Sequence, residues 1–208
     1  MPKVTEAHLE ARKQQIVDAA GACFSRKGFH QTTMQDICTE AGLSPGAVYR
    51  YFAAKEDIIA SMVEERRRHG MALIETIQRE REDTLGVLDE IAEVFFHKLD
   101  DVQGCAVDVE LWAEAQANPR IREAVNADVC EITDAFERII RQAQEKGEIN
   151  GHLDARSVAY VLNSMFFGLV QQKTIEPSIQ VGPYVAVIKA LTSGHFWRDT
   201  GTRRVSDV

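Results

Sequence analysis

The chain has 208 residues, of which 45% are apolar, and a formal net charge of −8, and this length suits one large domain or two small ones. No apolar run is long enough to span a bilayer, and the first residues, M-P-K-V-T-E-A-H, contain no hydrophobic signal segment, so we expect a cytoplasmic protein with no membrane partner. Because no Gly-x-Ser-x-Gly, phosphate-binding-loop or His-Glu-x-x-His motif occurs, we also expect no catalytic residue and no cofactor.

The N-terminal region begins with a predicted amphipathic helix over residues 6–27. Ile16 and Phe24 belong to the face that is expected to point inward. Gly28 is expected to end this helix, because glycine adopts the left-handed conformation found at helix C-termini. Phe29 is then expected to pack beneath the elements that follow.

Two short helices joined by a tight turn are predicted next. Thr33 caps the first of them, and Asp36 at its third position completes a capping box. Gly42 ends that helix, and Ser44 caps the second helix with Pro45 at its first position. This arrangement is typical of a helix–turn–helix, in which the second helix stands steeply off the first and can enter the major groove of DNA.

The second short helix carries groups that suit contact with DNA. Pro45, Gly46 and Ala47 are small, so this end of the helix can approach base edges closely. The helix continues into two hydroxyl groups and one guanidinium, which belong to Tyr49, Arg50 and Tyr51. Lys55 begins the next helix, where its amine and the free backbone N–H groups both attract phosphate.

The region resembles the DNA-binding domain of the TetR family of bacterial transcriptional repressors. The residues that carry the resemblance are Gly28, Phe29, Thr32, Thr33, Ile37, Ala41, Gly42, the run G-A-V-Y-R-Y-F at 46–52, and Lys55. The resemblance implies that Thr33, Tyr49 and Lys55 hold phosphates. It also implies a set of residues in or beside the major groove, namely Ser44, Pro45, Gly46, Ala47, Arg50 and Tyr51. The rest of the chain resembles the family only in its helical layout.

The charge distribution agrees with a DNA-binding head. Residues 1–55 contain seven Lys and Arg against five Asp and Glu, so the acidic excess lies in the remainder of the chain. A mildly basic head on an acidic body orients a protein on DNA without non-specific adhesion. Because the basic excess is small, we expect affinity to depend on hydroxyl groups, helix N-termini and dimerisation.

A long helix is predicted from Lys55 to about Arg81. Its expected buried stripe consists of Ile59, Val63, Gly70, Ile74 and Ile77. The glycine inside this helix has two interpretations that the sequence leaves open, close packing against a neighbour or a point where the head pivots on the body. The run of three arginines at 66–68 is interpreted as a solvated face.

The body is predicted to be helical throughout. One helix starts at Asp83–Thr84 and ends near Leu99, Gly104 is expected to break the chain, and another helix contains Trp112. Asn118 and Pro119 open the most regular helix of the body, and Gly147 ends it. Residues 183–196 suit either a helix or a strand, and Pro183 together with the helical context favours a helix.

The helix predicted over residues 154–173 is apolar almost all round, which indicates burial against a second subunit. The resemblance implies that this helix and the last one pair with their mates in a four-helix bundle. The candidate dimer-interface residues are Phe167, Gly168, Val187 and Leu191. The fold class is therefore all-α, with a helix–turn–helix head at 1–54, a helical bundle at 55–200 that dimerises, and a loose tail at 201–208.

The resemblance also implies a small-molecule cavity inside the body. The candidate lining residues are Phe95, Phe96, Trp112, Phe136, Met165 and Phe166, although ordinary core packing would explain each of them. Trp112 is favoured because an indole fills a large volume and needs a partner for its N–H. If Glu110 or Glu114 turns inward beside it, the pocket would prefer a cation or a hydrogen-bond donor.

Two other clusters have simple explanations. Asp89, Glu93 and His97 share a helix face and could bind a divalent metal, but a solvated face with a Glu–His contact is favoured, and no metal site is predicted. The four cysteines are widely spaced and are expected to be free thiols, with a redox role as a weak alternative.

These features predict a homodimeric transcriptional repressor. Two heads would bind successive major grooves of a near-palindromic operator in double-stranded DNA, and an unknown small-molecule effector in the body would release them. One alternative keeps the DNA-binding head but uses the body only for dimerisation or protein docking. Another is an all-helical enzyme or metal-binding bundle.

Overall fold

The computed structural model describes residues 6–100 and 102–192, and these residues form helices without any β-strand. In chain order the helices are α1 (Glu6–Gln31), α2 (Met34–Ala41), α3 (Pro45–Tyr49), α4 (Lys55–Glu80), α5 (Thr84–His97), α6 (Val102–Ala117), α7 (Pro119–Glu145), α8 (Ala155–Ile175) and α9 (Val181–Thr192), with a 3-10 turn at Lys98–Asp100. The predicted all-α class is confirmed. Among the described helices, none combines the length and the apolar character that crossing a membrane requires.

Helix α1 continues past the glycine that was expected to end it. The backbone of Gly28 is not helical, with φ 74° and ψ 169°, and a further helical turn leads to Gln31. Thr32 is buried, and its hydroxyl donates to the Gly28 carbonyl at 2.7 Å. The glycine therefore kinks the chain, and the side chain of Phe29 packs edge-on against the ring of Phe24. Phe29 belongs to the same buried cluster as Ile37 and Val48 of the elements that follow it.

Helix α4 connects the head to the body. All five residues of its predicted stripe are buried, so the periodicity was interpreted correctly. A Cβ added at Gly70 would lie 3.6 Å from the nearest atom of Phe95, which is an ordinary van der Waals distance. Close packing is therefore not the reason for a glycine at this position.

One prediction about the body is wrong, and another is confirmed. Gly104 lies inside α6, because one glycine in a helix costs only about 1 kcal/mol and does not end it. The chain instead turns at Lys98–Asp100. The last helix begins at Val181, two residues before Pro183, and the described part of 183–196 is helical and not extended.

The head and the body share one hydrophobic core. Phe24 of α1, Val48 of α3 and Ile59 of α4 belong to the same buried cluster as Leu111 of α6 and Ile121 of α7. Helices α6 and α7 therefore pack directly against the helices of the head. The proposed boundary after residue 54 stays a prediction, and the predicted tail at 201–208 lies outside the described residues.

Apolar side chains remain exposed on the last two helices. Tyr160 and Val161 of α8 are 46% and 53% exposed, and Val187 of α9 is 48% exposed. Gly168 is half-buried, with no atom within 4 Å of where its Cβ would lie. Together with Val187, this open position gives α8 and α9 an uncovered apolar surface.

Candidate functional site

The geometry of the head depends on a capped turn between α2 and α3. The Thr33 backbone N–H donates to Asp36 Oδ2 at 2.8 Å, and the Thr33 hydroxyl accepts the Asp36 backbone N–H at 3.2 Å. Lys27 and then Thr33 lower the pKa of the Asp36 carboxyl well below its ordinary value. Gly42 adopts the left-handed conformation with φ 63°, and the Ser44 hydroxyl accepts the Ala47 N–H at 3.3 Å. Both predicted helix caps are thus present.

Helix α3 buries one side and exposes the other. Val48 is fully buried and fixes the helix to the core, whereas Tyr49 is 52% exposed. The predicted groove-facing residues Ser44, Pro45, Gly46 and Arg50 are exposed, and Ala47 and Tyr51 are half-buried. Tyr51 also packs against the shared core, which leaves less of it for contact with DNA. Arg50 forms no ion pair with any described residue, so its charge is available.

Lys55 has a structural role besides the predicted phosphate contact. Its ammonium donates to the carbonyl of Phe29 and, at 3.1 Å, to the carbonyl of Thr32. These carbonyls lie at and just beyond the C-terminus of α1, where partial negative charge accumulates. The amine therefore ties α4 to the end of α1 before any phosphate is bound.

Two carboxylates of α6 hold the same segment from the side of the body. Glu110 accepts the backbone N–H of Phe29 at 2.7 Å, and Glu114 pairs with the imidazole of His30 at 2.9 Å. A Cβ added at Gly28 would lie 2.7 Å from the Glu110 carboxylate. Both glutamates contact the head, so the condition under which one of them would turn into the pocket is not met.

A cavity of about 750 Å³ lies within the body. Five of the six candidate pocket residues line it, namely Phe95, Phe96, Phe136, Met165 and Phe166. Trp112 does not line the cavity, because its indole is 38% exposed and packs edge-on against Phe167, with ring centroids 4.8 Å apart. Phe167, a candidate dimer-interface residue, also lines the cavity, and its place in an interface stays a prediction.

One part of the cavity wall is charged. Arg66, Asp108 and Asp128 all line it, and the Arg66 guanidinium binds the Asp108 carboxylate and, at 2.9 Å, Asp128 Oδ2. Asp128 is 2% exposed, and its Oδ1 is buried and accepts no hydrogen bond in the described part of the chain. Burial raises the pKa of the Asp108 carboxyl; Arg66 opposes this effect, and the neighbouring Asp128 adds to it.

This charged group was not predicted from the sequence. Arg66 was interpreted as part of a solvated arginine run, although its side chain turns inward. A signal was present in α7, where Asp128 lies on the apolar face between Val125 and Ile132. A carboxylate in that register must be buried, and a buried carboxylate needs a partner.

The two remaining candidate clusters are the possible metal ligands of α5 and the cysteines. Glu93 binds the Lys189 ammonium at 2.6 Å, and Asp89 lines the cavity. Cys23, Cys38 and Cys105 are buried free thiols, and Cys130 is a half-buried one. Burial raises the pKa of the Cys23 thiol, which makes it less reactive.

Comparison with protein families agrees with the capped turn and its exposed second helix. A model of bacterial regulatory proteins of the tetR family matches residues 16–62. A model described as the C-terminal part of BetI-type transcriptional repressors matches residues 86–196. The chain belongs to the TetR family and is a DNA-binding transcriptional regulator.

Individual relatives cover nearly the whole chain. The HTH-type transcriptional regulator UidR of Escherichia coli (strain K12) is 26% identical over 190 residues, which cover 91% of this chain and 95% of UidR. The regulator FadR of Bacillus subtilis in complex with stearoyl-CoA is 25% identical with a TM-score of 0.77, covering 87% of this chain and 98% of FadR. SmeT in complex with triclosan is 25% identical with a TM-score of 0.76, covering 91% of this chain and 93% of SmeT.

Proposed function

We propose that the protein is a homodimeric repressor that leaves its operator when a small molecule occupies the body cavity. The observation that carries this proposal is the composition of the cavity wall. Gly21 and Ser25 of α1 line it, as do Met62 and Arg66 of α4. Helix α1 belongs to the DNA-binding head and α4 begins at Lys55, so a ligand in the cavity contacts the helices that orient the head.

The size and lining of the cavity favour a ligand over an empty core. Small-molecule sites typically enclose about 300–1,000 Å³ with mainly apolar walls and a few polar groups, and this cavity of about 750 Å³ meets that description. Two similar proteins, FadR and SmeT, are known in complexes with stearoyl-CoA and triclosan. This supports an effector site here over the alternative in which the body serves only dimerisation or protein docking.

The dimer is proposed to form through α8 and α9. Their uncovered surface includes Val161 and Val187, each about half exposed. The proposal requires that a second copy covering this surface bring the two α3 helices to one face of the assembly. Binding to successive major grooves requires a separation of about 34–36 Å.

Release needs only a modest preference of the ligand for one conformation. A coupling free energy of about 1–3 kcal/mol between the two sites changes operator affinity by about 5–150-fold. The assembly is proposed to act in the cytoplasm, where duplex DNA and metabolites are both accessible.

Selection of bound duplexes from a random library tests the DNA-binding part. We expect the purified dimer to enrich a near-palindromic sequence. Arg50→Ala should change the preference among sequences, whereas Tyr49→Phe should weaken binding to all of them. Arg68→Ala, an exposed arginine on α4, is the matched control and should behave as the wild type. Failure to enrich any duplex over a heparin competitor at low ionic strength would contradict the proposal.

A further inference from the structure

The charged part of the cavity wall carries an excess of negative charge. Asp108 and Asp128 both bind Arg66, so two carboxylates share one guanidinium. Arg67 is close enough to interact with the charge of Asp128, but it is bound to Glu131. With both carboxylates ionised, the group of Arg66, Asp108 and Asp128 has a formal net charge of −1, in a place where low polarity strengthens electrostatic interactions.

One oxygen of this group has an unused hydrogen-bonding capacity. Asp128 Oδ1 is buried on a cavity-lining side chain, and no described residue donates to it. Leaving a buried carboxylate oxygen without a donor is costly, and a bound N–H group would remove that cost. A ligand group that is both a cation and a hydrogen-bond donor would match the formal charge of the group and the unused oxygen together.

The cations elsewhere in the cavity wall do not reverse the preference of this charged group for a cationic ligand. Lys98 is exposed, and its ammonium lies 5.1 Å from the centre of the Phe95 ring. The Lys189 ammonium binds Glu93 at 2.6 Å. Solvent screens the charges of these two lysines more than it screens the charge of Asp128, which is 2% exposed.

The rest of the cavity suits the apolar part of the same ligand. Phe95, Phe136, Phe166 and Phe167 line it, and aromatic rings attract both hydrocarbon surface and a nearby cation. A quaternary ammonium would supply the charge but not the N–H that Asp128 Oδ1 lacks.

We propose that the effector is an apolar molecule bearing a protonated amine or amidine, whose N–H donates to Asp128 Oδ1 beside Arg66 and Asp108. This inference rests on the proposed function and specifies its ligand. An ammonium at this position competes with Arg66 for Asp128, so the ligand acts on a side chain of α4. The body is thereby connected to the helix that begins at Lys55.

A matched series of probes tests the inference by isothermal titration calorimetry on the full-length dimer. The probes are 4-phenylbutylamine, its trimethylammonium analogue, 4-phenylbutanol and 4-phenylbutyrate. We expect the amine to bind at least about tenfold more tightly than the alcohol and the carboxylate. The trimethylammonium compound should fall between the amine and the alcohol, because it has charge but no donor.

Two variants assign the preference to one residue. Asp128→Asn should weaken amine binding by at least about tenfold, while binding of the alcohol stays within about twofold and so reports that the cavity is intact. Asp89→Asn replaces another acidic residue of the cavity wall and should keep the preference for the amine.

Equal affinity for the amine and the alcohol, or a preference that survives in Asp128→Asn, would overturn the inference. No measurable binding of the amine at millimolar concentration would overturn it as well. Release of the selected operator by the alcohol or the carboxylate without an amine preference would refute the cationic ligand yet leave the proposed ligand-responsive function in place.

Discussion

A side chain added at Gly46 would point into open space, since among the described residues outside its own helical turn no atom lies within 4 Å of its Cβ position. The glycine is therefore not required by packing inside the molecule. Gly46 is exposed at the start of α3, and we propose that close approach to DNA is the reason for a small residue there.

We accordingly expect Gly46→Ala to separate folding from DNA binding. The free energy of unfolding should stay the same or rise by up to about 1 kcal/mol, because alanine favours the helix. Operator affinity should fall by about tenfold or more, corresponding to about 1.4 kcal/mol. Urea unfolding and fluorescence anisotropy measure the two quantities. Gly151→Ala, at another open position far along the chain, should change neither; unchanged operator affinity in Gly46→Ala would contradict the assignment.

For Lys55, the sequence indicated a phosphate contact but not the contacts with two backbone carbonyls. Its position at the start of a helix indicated a phosphate contact, and that role stays a prediction. The two carbonyls that it binds are 23 and 26 residues away in the chain. A contact of this kind depends on how α1 and α4 pack, and no local pattern encodes it.

Lys55→Met should therefore destabilise the free protein. It keeps an apolar side chain of similar length but removes a charged donor, so we expect a loss of about 1–3 kcal/mol in urea unfolding. Lys13→Met removes an exposed i,i+3 ion pair with Glu10 and should change stability by less than about 0.5 kcal/mol. An unchanged unfolding midpoint for Lys55→Met would show that the two carbonyl contacts do not contribute. The logarithm of operator affinity should also depend less steeply on the logarithm of salt concentration, because Lys55→Met releases about one counterion fewer on binding.

At the scale of elements, capping residues and apolar periodicity were sufficient to predict where most of the helices lie. The caps at Thr33, Ser44 and Asn118 are local, because each side chain bonds to backbone two or three residues away. Gly104 was misjudged because the surrounding helix tolerates the cost of one glycine. Trp112 was misplaced because α6 is weakly amphipathic, so the sequence does not fix which of its faces points inward.

Gly70 is the position where the interior of α4 can be tested. There is room for a methyl group beside Phe95, and helix propensity favours alanine, so Gly70→Ala should stabilise the protein by about 0.5–1 kcal/mol. The reverse change, Ala72→Gly at an exposed position of the same helix, should destabilise it by a similar amount. Thermal and urea unfolding provide the measurement. Destabilisation by Gly70→Ala would show that the methyl group does not fit beside Phe95, as the close-packing interpretation requires.

At the scale of the whole molecule, the uncovered surface of α8 and α9 predicts the oligomeric state. Val187→Glu should shift a dimer toward monomers in sedimentation velocity at micromolar concentration, because a buried, unpaired carboxylate is costly. Val187→Thr keeps the shape without a charge and should remain dimeric. A dimer that withstands Val187→Glu would place the interface elsewhere.

The cavity wall joins the two activities of the molecule, since it includes α1 and α4 as well as the helices of the body. The sequence predicted its aromatic lining, because phenylalanines on inward faces follow helical periodicity. It did not predict the group of Arg66, Asp108 and Asp128, whose members come together only when α4, α6 and α7 pack.

The most direct test of this coupling is the affinity of 4-phenylbutylamine for the dimer, measured with and without a saturating amount of the selected operator. We predict weaker binding in the presence of operator, by the same factor by which the saturating amine weakens operator binding. A factor of about 5 or more corresponds to about 1 kcal/mol of coupling. Equal amine affinities in the two states would show that the cavity and the DNA-binding head are independent, and would contradict the account.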